Sequence, residues 1–317
     1  MHASQLGIAQ PPNRWLTTSG CLGCHTGTNS ASGPTPYVLT TGVSDLTGAL
    51  AGGNFYFSSL NPANGHNPVG IGTPAVVTPP GWKVGFAAND QVGGGAAAAT
   101  WTSNQLSCDG TWGCHGGHYD NDMKGAHHHP PPSNPGQFIN PTDTGGSYRF
   151  LYRIKGYEDS HWEFAKTTTA HNVYYGAART ADLPQDVQTI SYFCAECHGI
   201  FHSGAGNVEG VARDSGFASP WIRHPVDVTM PLDSTSPAGS VDYDSTTITY
   251  NLNAPLASTS VPTASGSDVS LSSNRIVMCL SCHEAHATPY YASLRWDYRG
   301  TAGSWSNGCG YCHTSKQ

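Results

Sequence analysis

The sequence predicts a single, mostly irregular domain over residues 1–317, with short helices at its cysteine pairs, a few short β-strands and little conventional hydrophobic core. Three observations predict it. Charged residues make up only 11% of the chain while Gly (38) and Pro (22) abound, a composition that favours turns and extended segments over long amphipathic helices. Trp (8) and Tyr (15) are too plentiful for a disordered chain. Ten Cys and sixteen His stand against four Met, so something other than aliphatic packing organises the interior.

The segments follow from local composition. Residues 26–105 are rich in Gly, Thr, Ala and Pro and read as a loop-rich wrap that delivers one histidine, His66. The most charged stretch, "SYRFLYRIKGYEDSHWEFAK", predicts a short strand or helix. Residues 226–275, which include "TTITYNLNAP", alternate polar and β-branched residues and predict a small β insert on the surface. No stretch of about 18 apolar residues exists, so no membrane span is expected. A net charge of −7 without a Lys/Arg run gives no sign of a nucleic-acid partner. The opening "MHASQLGIAQPPNRW" lacks the basic and apolar regions of a signal peptide, which points to a mature chain.

All ten cysteines fall into close pairs, and four pairs read Cys-x-x-Cys-His: "CLGCH" (Cys21, Cys24, His25), "CAECH" (Cys194, Cys197, His198), "CLSCH" (Cys279, Cys282, His283) and "CGYCH" (Cys309, Cys312, His313). Two thiols at this spacing can bond to the two vinyl groups on one haem edge, and the next residue then drops onto the iron as its proximal ligand. The competing use of such hooks is a Cys₄ zinc ribbon. Zinc does not require a histidine after each hook, and four chance placements have a probability on the order of 10⁻⁵ at this His content. Haem c is therefore the expected cofactor.

The fifth pair is stretched. In "SCDGTWGCHGGH" five residues separate Cys108 from Cys114, yet His115 still follows at once. If both sulfurs reach one haem edge the insert must bulge outward, and Gly110 and Gly113 suit such a bulge. A Cys108–Cys114 disulfide across the short loop is the alternative. The "CHG" shared with 197–199 favours haem, giving five haems, or four if the disulfide forms.

A second axial ligand is needed on each iron, and Met is too scarce to supply it. Histidine gives lower potentials than Met in that position. The distal candidates are His66 in "GHNPVG", His128 in "GAHHHPPP", His171 in "AHNVYYG", His202 in "CHGIFH", His224 in "RHPVD" and His286 in "CHEAHA". Arg149, Arg153, Arg223 and Arg295 are candidate partners for haem propionates. Beyond the clips themselves no internal repeat is visible.

With "CLGCH", "GHNPVG", "GCHG", "GAHH", "AHNVYYG", "CAECHGIFH", "RHPVD", "CLSCHEAH" and "CGYCH" in hand, the chain resembles the multihaem c-type cytochromes of metal-reducing bacteria, in particular the filament-forming extracellular cytochrome nanowires. The motifs span much of the chain, and the stretched clip departs from the simple pattern. The resemblance implies bis-His haems stacked in a continuous row, with some distal histidines coming from an adjacent subunit. It implies an exported electron conduit rather than an enzyme. Its partners would be copies of itself, other cytochromes or extracellular electron acceptors. The alternatives are a monomeric periplasmic shuttle and a multihaem reductase with one open iron face, for which His115 is the first suspect. Five haems would bring the net charge to about −12.

Overall fold

A computed structural model describes residues 4–5, 8–9, 20–72, 78–82, 101, 106–116, 137–139, 144–179, 186–199, 226–230, 250–261, 275–298 and 308–312. Most of this chain is turn and coil, as its Gly, Pro and Ser/Thr content dictates. Among the described residues the helices are α1 (Tyr56–Leu60) and α2 (Ile190–Cys197), with single 3-10 turns elsewhere. Among the described residues no helix is long and apolar enough to cross a membrane.

The strands are two or three residues each. β1 (Ser4–Gln5) pairs with β2 (Ile8–Ala9), and β3 (Ser107–Asp109) with β4 (Gly113–His115). Antiparallel β5 (Gln137–Ile139), β6 (Gly156–Glu158) and β7 (Val173–Tyr174) form one sheet. A second places β10 (Arg275–Val277) between β8 (Val228–Thr229) and β9 (Ala257–Ser258). This sheet draws on both ends of the 226–275 segment; residues 231–249 and 262–274 lie outside the described residues. It is not wholly on the surface, as expected for the insert: Ala257, Ile276 and Val277 are buried, while Thr229 is exposed. Strands this short are stable only with a hydrophobic face packed on something.

Among the described residues two small clusters form part of the apolar interior. The larger joins Tyr148, Ile154, Tyr174, Ile190, Ala257, Ile276, Met278 and Leu280, with Phe193 and Cys194 against it. The smaller joins Met230, Leu256 and Val277, with Cys312 against it. Both cores therefore pack directly on cysteines of the clips.

The other organiser is a backbone lacing between segments more than 200 positions apart. Asn54 N–H donates to the Ala287 carbonyl (2.8 Å), His286 N–H to Gly52 (2.7 Å), His66 N–H to His286 (2.9 Å) and Thr288 N–H to Asn64 (3.1 Å). A Cβ at Gly65 would overlap the His286 carbonyl and the Ala287 backbone, so only glycine lets the two segments approach this closely. The "GHN" motif and the "EAHA" motif are thus two halves of one structure.

Candidate haem sites

Three of the regular clips open with a 3-10 turn: Cys21–Gly23, Cys279–Ser281 and Cys309–Tyr311. The fourth, Cys194–Cys197, closes α2, which Thr189 starts by accepting the Tyr192 N–H on its side chain. In the clips where the histidine is described, its N–H returns to the first cysteine: His25 to Cys21 (3.0 Å), His198 to Cys194 (2.9 Å) and His283 to Cys279 (3.1 Å). One helical turn brings both thiols and the imidazole to one side of the chain, as a thioether clip requires.

The stretched clip is built differently. Ser107 N–H donates to Trp112 (3.0 Å) and Gly113 N–H to Gly110 (3.0 Å), and β3 and β4 pair in parallel across this short span. Parallel pairs ordinarily need a crossover of a dozen residues, so this is a loop folded back on itself. Gly110 takes φ 77°, and a Cβ at Gly113 would overlap the Asp109 backbone. Both glycines are needed, one for its dihedral and one for its bareness. No disulfide closes the loop: Cys108 instead donates to Cys21, and all ten cysteines are unbridged.

On its histidine side the stretched clip matches a regular one bond for bond. His115 Nδ1 donates to the Arg149 carbonyl (2.9 Å), and Gly116 N–H to Phe150 (2.8 Å). His283 Nδ1 donates to the Ala292 carbonyl (2.8 Å), and Glu284 N–H to Ser293 (2.9 Å). The acceptors lie on twin turns, Tyr148-Arg149-Phe150-Leu151 and Tyr291-Ala292-Ser293-Leu294. Each closes from the leucine N–H to the tyrosine carbonyl, at 2.9 and 3.3 Å. In each, the middle two residues are left-handed: Arg149 (φ 48°) and Phe150 (φ 59°), Ala292 (φ 57°) and Ser293 (φ 57°). Non-glycine residues held there cost on the order of 1–3 kcal/mol each, a strain that persists where a function over-determines the backbone. This repeat was not visible in the sequence.

The same hydrogen bond recurs at four more described rings, though not at His161, whose Nδ1 meets the Ser160 hydroxyl (2.9 Å), nor at His286, whose buried Nδ1 has no hydrogen-bond partner. His25 Nδ1 donates to Pro36 (2.7 Å), His66 to Ala285 (2.6 Å), His171 to Asn172 (2.7 Å) and His198 to Pro80 (2.6 Å). A ring that donates from Nδ1 carries its lone pair on Nε2, the nitrogen a metal then takes. Burial pushes the His66 and His115 pKa values down and that of His286 to about 3, which holds these rings in the neutral form a metal needs. By surface area His66 is exposed.

Two pairs of rings lie close together, tilted by 43° and 60°. The His66 and His198 centroids are 6.1 Å apart, and those of His115 and His286 are 6.5 Å apart. Two imidazoles that held one metal between them through bonds of about 2 Å would have centroids roughly 6 Å apart. His66 with His198, and His115 with His286, could each hold a metal in this way, and each pair joins a clip histidine to a distal candidate. Phe55 stacks on His286 at 4.3 Å, fixing its plane. His171, fully enclosed, stacks on Tyr250 at 4.7 Å. His313, His128, His202 and His224 lie outside the described residues.

Burial pushes Cys114 and Cys312 up to about 11 and Cys282 to about 12. A buried thiolate is penalised and a neutral thioether sulfur is not. A zinc ribbon would need thiolates; among the described residues no three or more Cys, His, Asp or Glu converge as a metal cage.

Two features of the surroundings were not foreseen. Trp112, inside the stretched clip, packs edge-on against Trp101 (4.8 Å), and Trp82 completes the cluster at 5.5 and 6.4 Å. The arginines expected for propionates have protein partners: Arg295 pairs with Glu284 (2.6 Å) and donates to the Leu280 carbonyl (2.7 Å), and Arg149 pairs with Glu158 (3.4 Å). Arg153 lies over the Tyr152 ring, and Arg223 is outside the described residues.

No family profile matches the chain, and no curated protein does. Among solved structures the chain is similar to the outer membrane cytochrome S filament of Geobacter sulfurreducens, at 18% identity and a TM-score of 0.42, over 93% of this chain and 80% of that one.

Proposed function

We propose that the chain is an electron-transfer multihaem c-type cytochrome with five bis-His haem sites, exported from the cell and polymerising into a conducting filament. The observation that carries the haem reading is the pairing of clip histidines with distal histidines at 6.1 and 6.5 Å. Haem iron supplies one-electron ferric/ferrous cycling when bound. The chain's own residues do the rest. Cys pairs would tether, carbonyls orient His25, His66, His115, His171, His198 and His283 through Nδ1, Phe55 stacks on His286, and the lacing of 50–66 to 284–289 positions His66 and His286.

The stretched clip counts as the fifth site because its histidine is held as His283 is. His286 opposite His115 covers the face at which a small oxyanion would bind, which weighs against a reductase with its open iron there. Low surface charge supports self-assembly, since few charges would need desolvation at a long subunit contact.

Intact mass spectrometry counts the haems, with five expected. Low-spin EPR signals from all irons are expected, and His286→Ala should turn one iron in five high-spin. A high-spin population in the unaltered protein would sink the bis-His reading. Electron micrographs at high concentration test assembly separately: filaments are expected, and only monodisperse particles would leave the shuttle.

A further inference from the structure

Resting on the haem reading, we infer that the Cys108 site, ligated by His115 and His286, has a more positive reduction potential than the Cys194 site, ligated by His198 and His66. An electron shared between these two sites would settle at Cys108. What separates them is the partner that each ligand ring finds for its far nitrogen.

At the Cys194 site both rings donate at short range. His198 Nδ1 meets the Pro80 carbonyl and His66 Nδ1 the Ala285 carbonyl, each at 2.6 Å. At the Cys108 site His115 has the longest bond of the kind among the described residues, 2.9 Å to the Arg149 carbonyl. His286 has none: its Nδ1 is buried without a hydrogen-bond partner. The Gly53 backbone acts on that ring but lies outside hydrogen-bond geometry.

The residues around His286 produce this gap. Phe55 stacks on the ring at 4.3 Å and 22° and offers no acceptor. A Cβ at Gly52 would lie 2.7 Å from Nδ1 and 2.8 Å from Cε1, so only the bare Gly52 backbone packs at that corner. The His286 N–H bond to the Gly52 carbonyl, at 2.7 Å, holds the two segments in this register. Leaving a buried ring nitrogen unsatisfied is costly, and folded proteins rarely do so without a reason.

The direction follows from ligand basicity. A ring that donates from Nδ1 is the more basic, and at Nε2 it pushes charge onto a metal and favours the ferric form. Without an acceptor that push is weaker, and the ferrous form gains. Solvent acts in the same direction: His66 is exposed whereas His286 is half-buried, and water favours the more highly charged ferric state.

A redox titration of the haem-loaded protein, followed by EPR, tests this. His286→Met and His66→Met each replace one ligand and so mark the low-spin ferric signal of one site, which is then followed in the unaltered protein. The Cys108 signal is expected to vanish at the more positive potential, with a reduction constant larger by about tenfold or more, equivalent to about 59 mV for one electron. Equal potentials, or the reverse order, would overturn the inference. A second measurement needs no variant. In the fully reduced protein carrying ¹⁵N-histidine, at least one ligand Nδ1–H should lack the downfield proton shift that a carbonyl acceptor gives, and a downfield shift at every ligand would equally overturn it. Intact mass and spin state on the same sample separate the failures. Fewer than five haems or a high-spin iron would break the underlying reading, and five low-spin haems without this difference in potential would break only the inference.

Discussion

The Cys108 and Cys279 sites differ in their cysteine halves and agree in their histidine halves. At Cys279 the thiols ride on a 3-10 turn, further fixed by Ser281, whose hydroxyl accepts the Met278 N–H (3.1 Å) and donates to Pro255 (2.6 Å). At Cys108 a glycine-dependent loop replaces that turn. Yet both histidines donate to the second residue of a Tyr-x-x-Leu turn with two left-handed residues. The variable part is the loop between the sulfurs and the constant part is what aims the ring. Strain is kept where the ligand is oriented, and freedom is allowed where covalent bonds would do the holding.

The comparison breaks most severely if the two pairs of cysteines are not chemically equivalent. Cys108→Ser/Cys114→Ser and Cys279→Ser/Cys282→Ser should each remove one haem mass from the intact protein. A full haem complement in the first double variant would mean that the stretched pair carries no haem, and the match between the histidine halves would lose its functional meaning.

Next in size is the loop itself. Gly113→Ala forces a Cβ into the Asp109 backbone and should cost on the order of 3 kcal/mol, read as a fall in Tm. Gly23, in the exposed turn of a regular clip and with ordinary backbone, should accept Ala within about 0.5 kcal/mol. Equal effects would mean that the stretched loop is not glycine-dependent. Trp112→Ala comes next: opening the three-tryptophan cluster at a half-buried position should cost about 2 kcal/mol, and Trp112→Phe should recover part of it.

What the sequence revealed follows from how local each constraint is. The regular clips stand out in the sequence because the covalent attachment proposed for them would need a fixed spacing within five residues. His66 and His286 stand out as candidates from the short motifs "GHNPVG" and "CHEAHA". Their nearness to His198 and His115 is not legible there, since it depends on contacts such as His66 to Ala285, 219 positions apart. The twin turns escaped notice because "YRFL" and "YASL" share only Tyr and Leu. Their left-handed residues are Arg, Phe, Ala and Ser rather than the Gly or Asn that mark such backbone. The irregular fold was legible from composition, whereas the inward placement of the 257 and 276 strands was not, because alternation does not say which face is covered.

The smallest expected effect is also the sharpest test of the twin turns, because the same substitution should have opposite signs in the two. Ala292 is exposed and holds φ 57°. Replacing it with Gly removes a left-handed penalty of about 1–2 kcal/mol and adds about 0.4–1 kcal/mol of unfolded-state freedom. A net gain of about 0.5 kcal/mol is expected. Arg149 holds the equivalent φ 48° but also reaches Glu158, the Asp159 carbonyl (2.7 Å) and Asn172 (3.3 Å). Arg149→Gly relieves the same backbone yet leaves Glu158 without its guanidinium in a largely buried setting, so a net loss of about 2 kcal/mol is expected. Both turns still present the carbonyl that the histidine needs, since glycine adopts the same dihedrals, so the haem count should stay at five in either variant. Paired thermal melts decide it: a fall in Tm for Ala292→Gly would show that the left-handed pair is not strained there, and that strain is not what the two turns have in common.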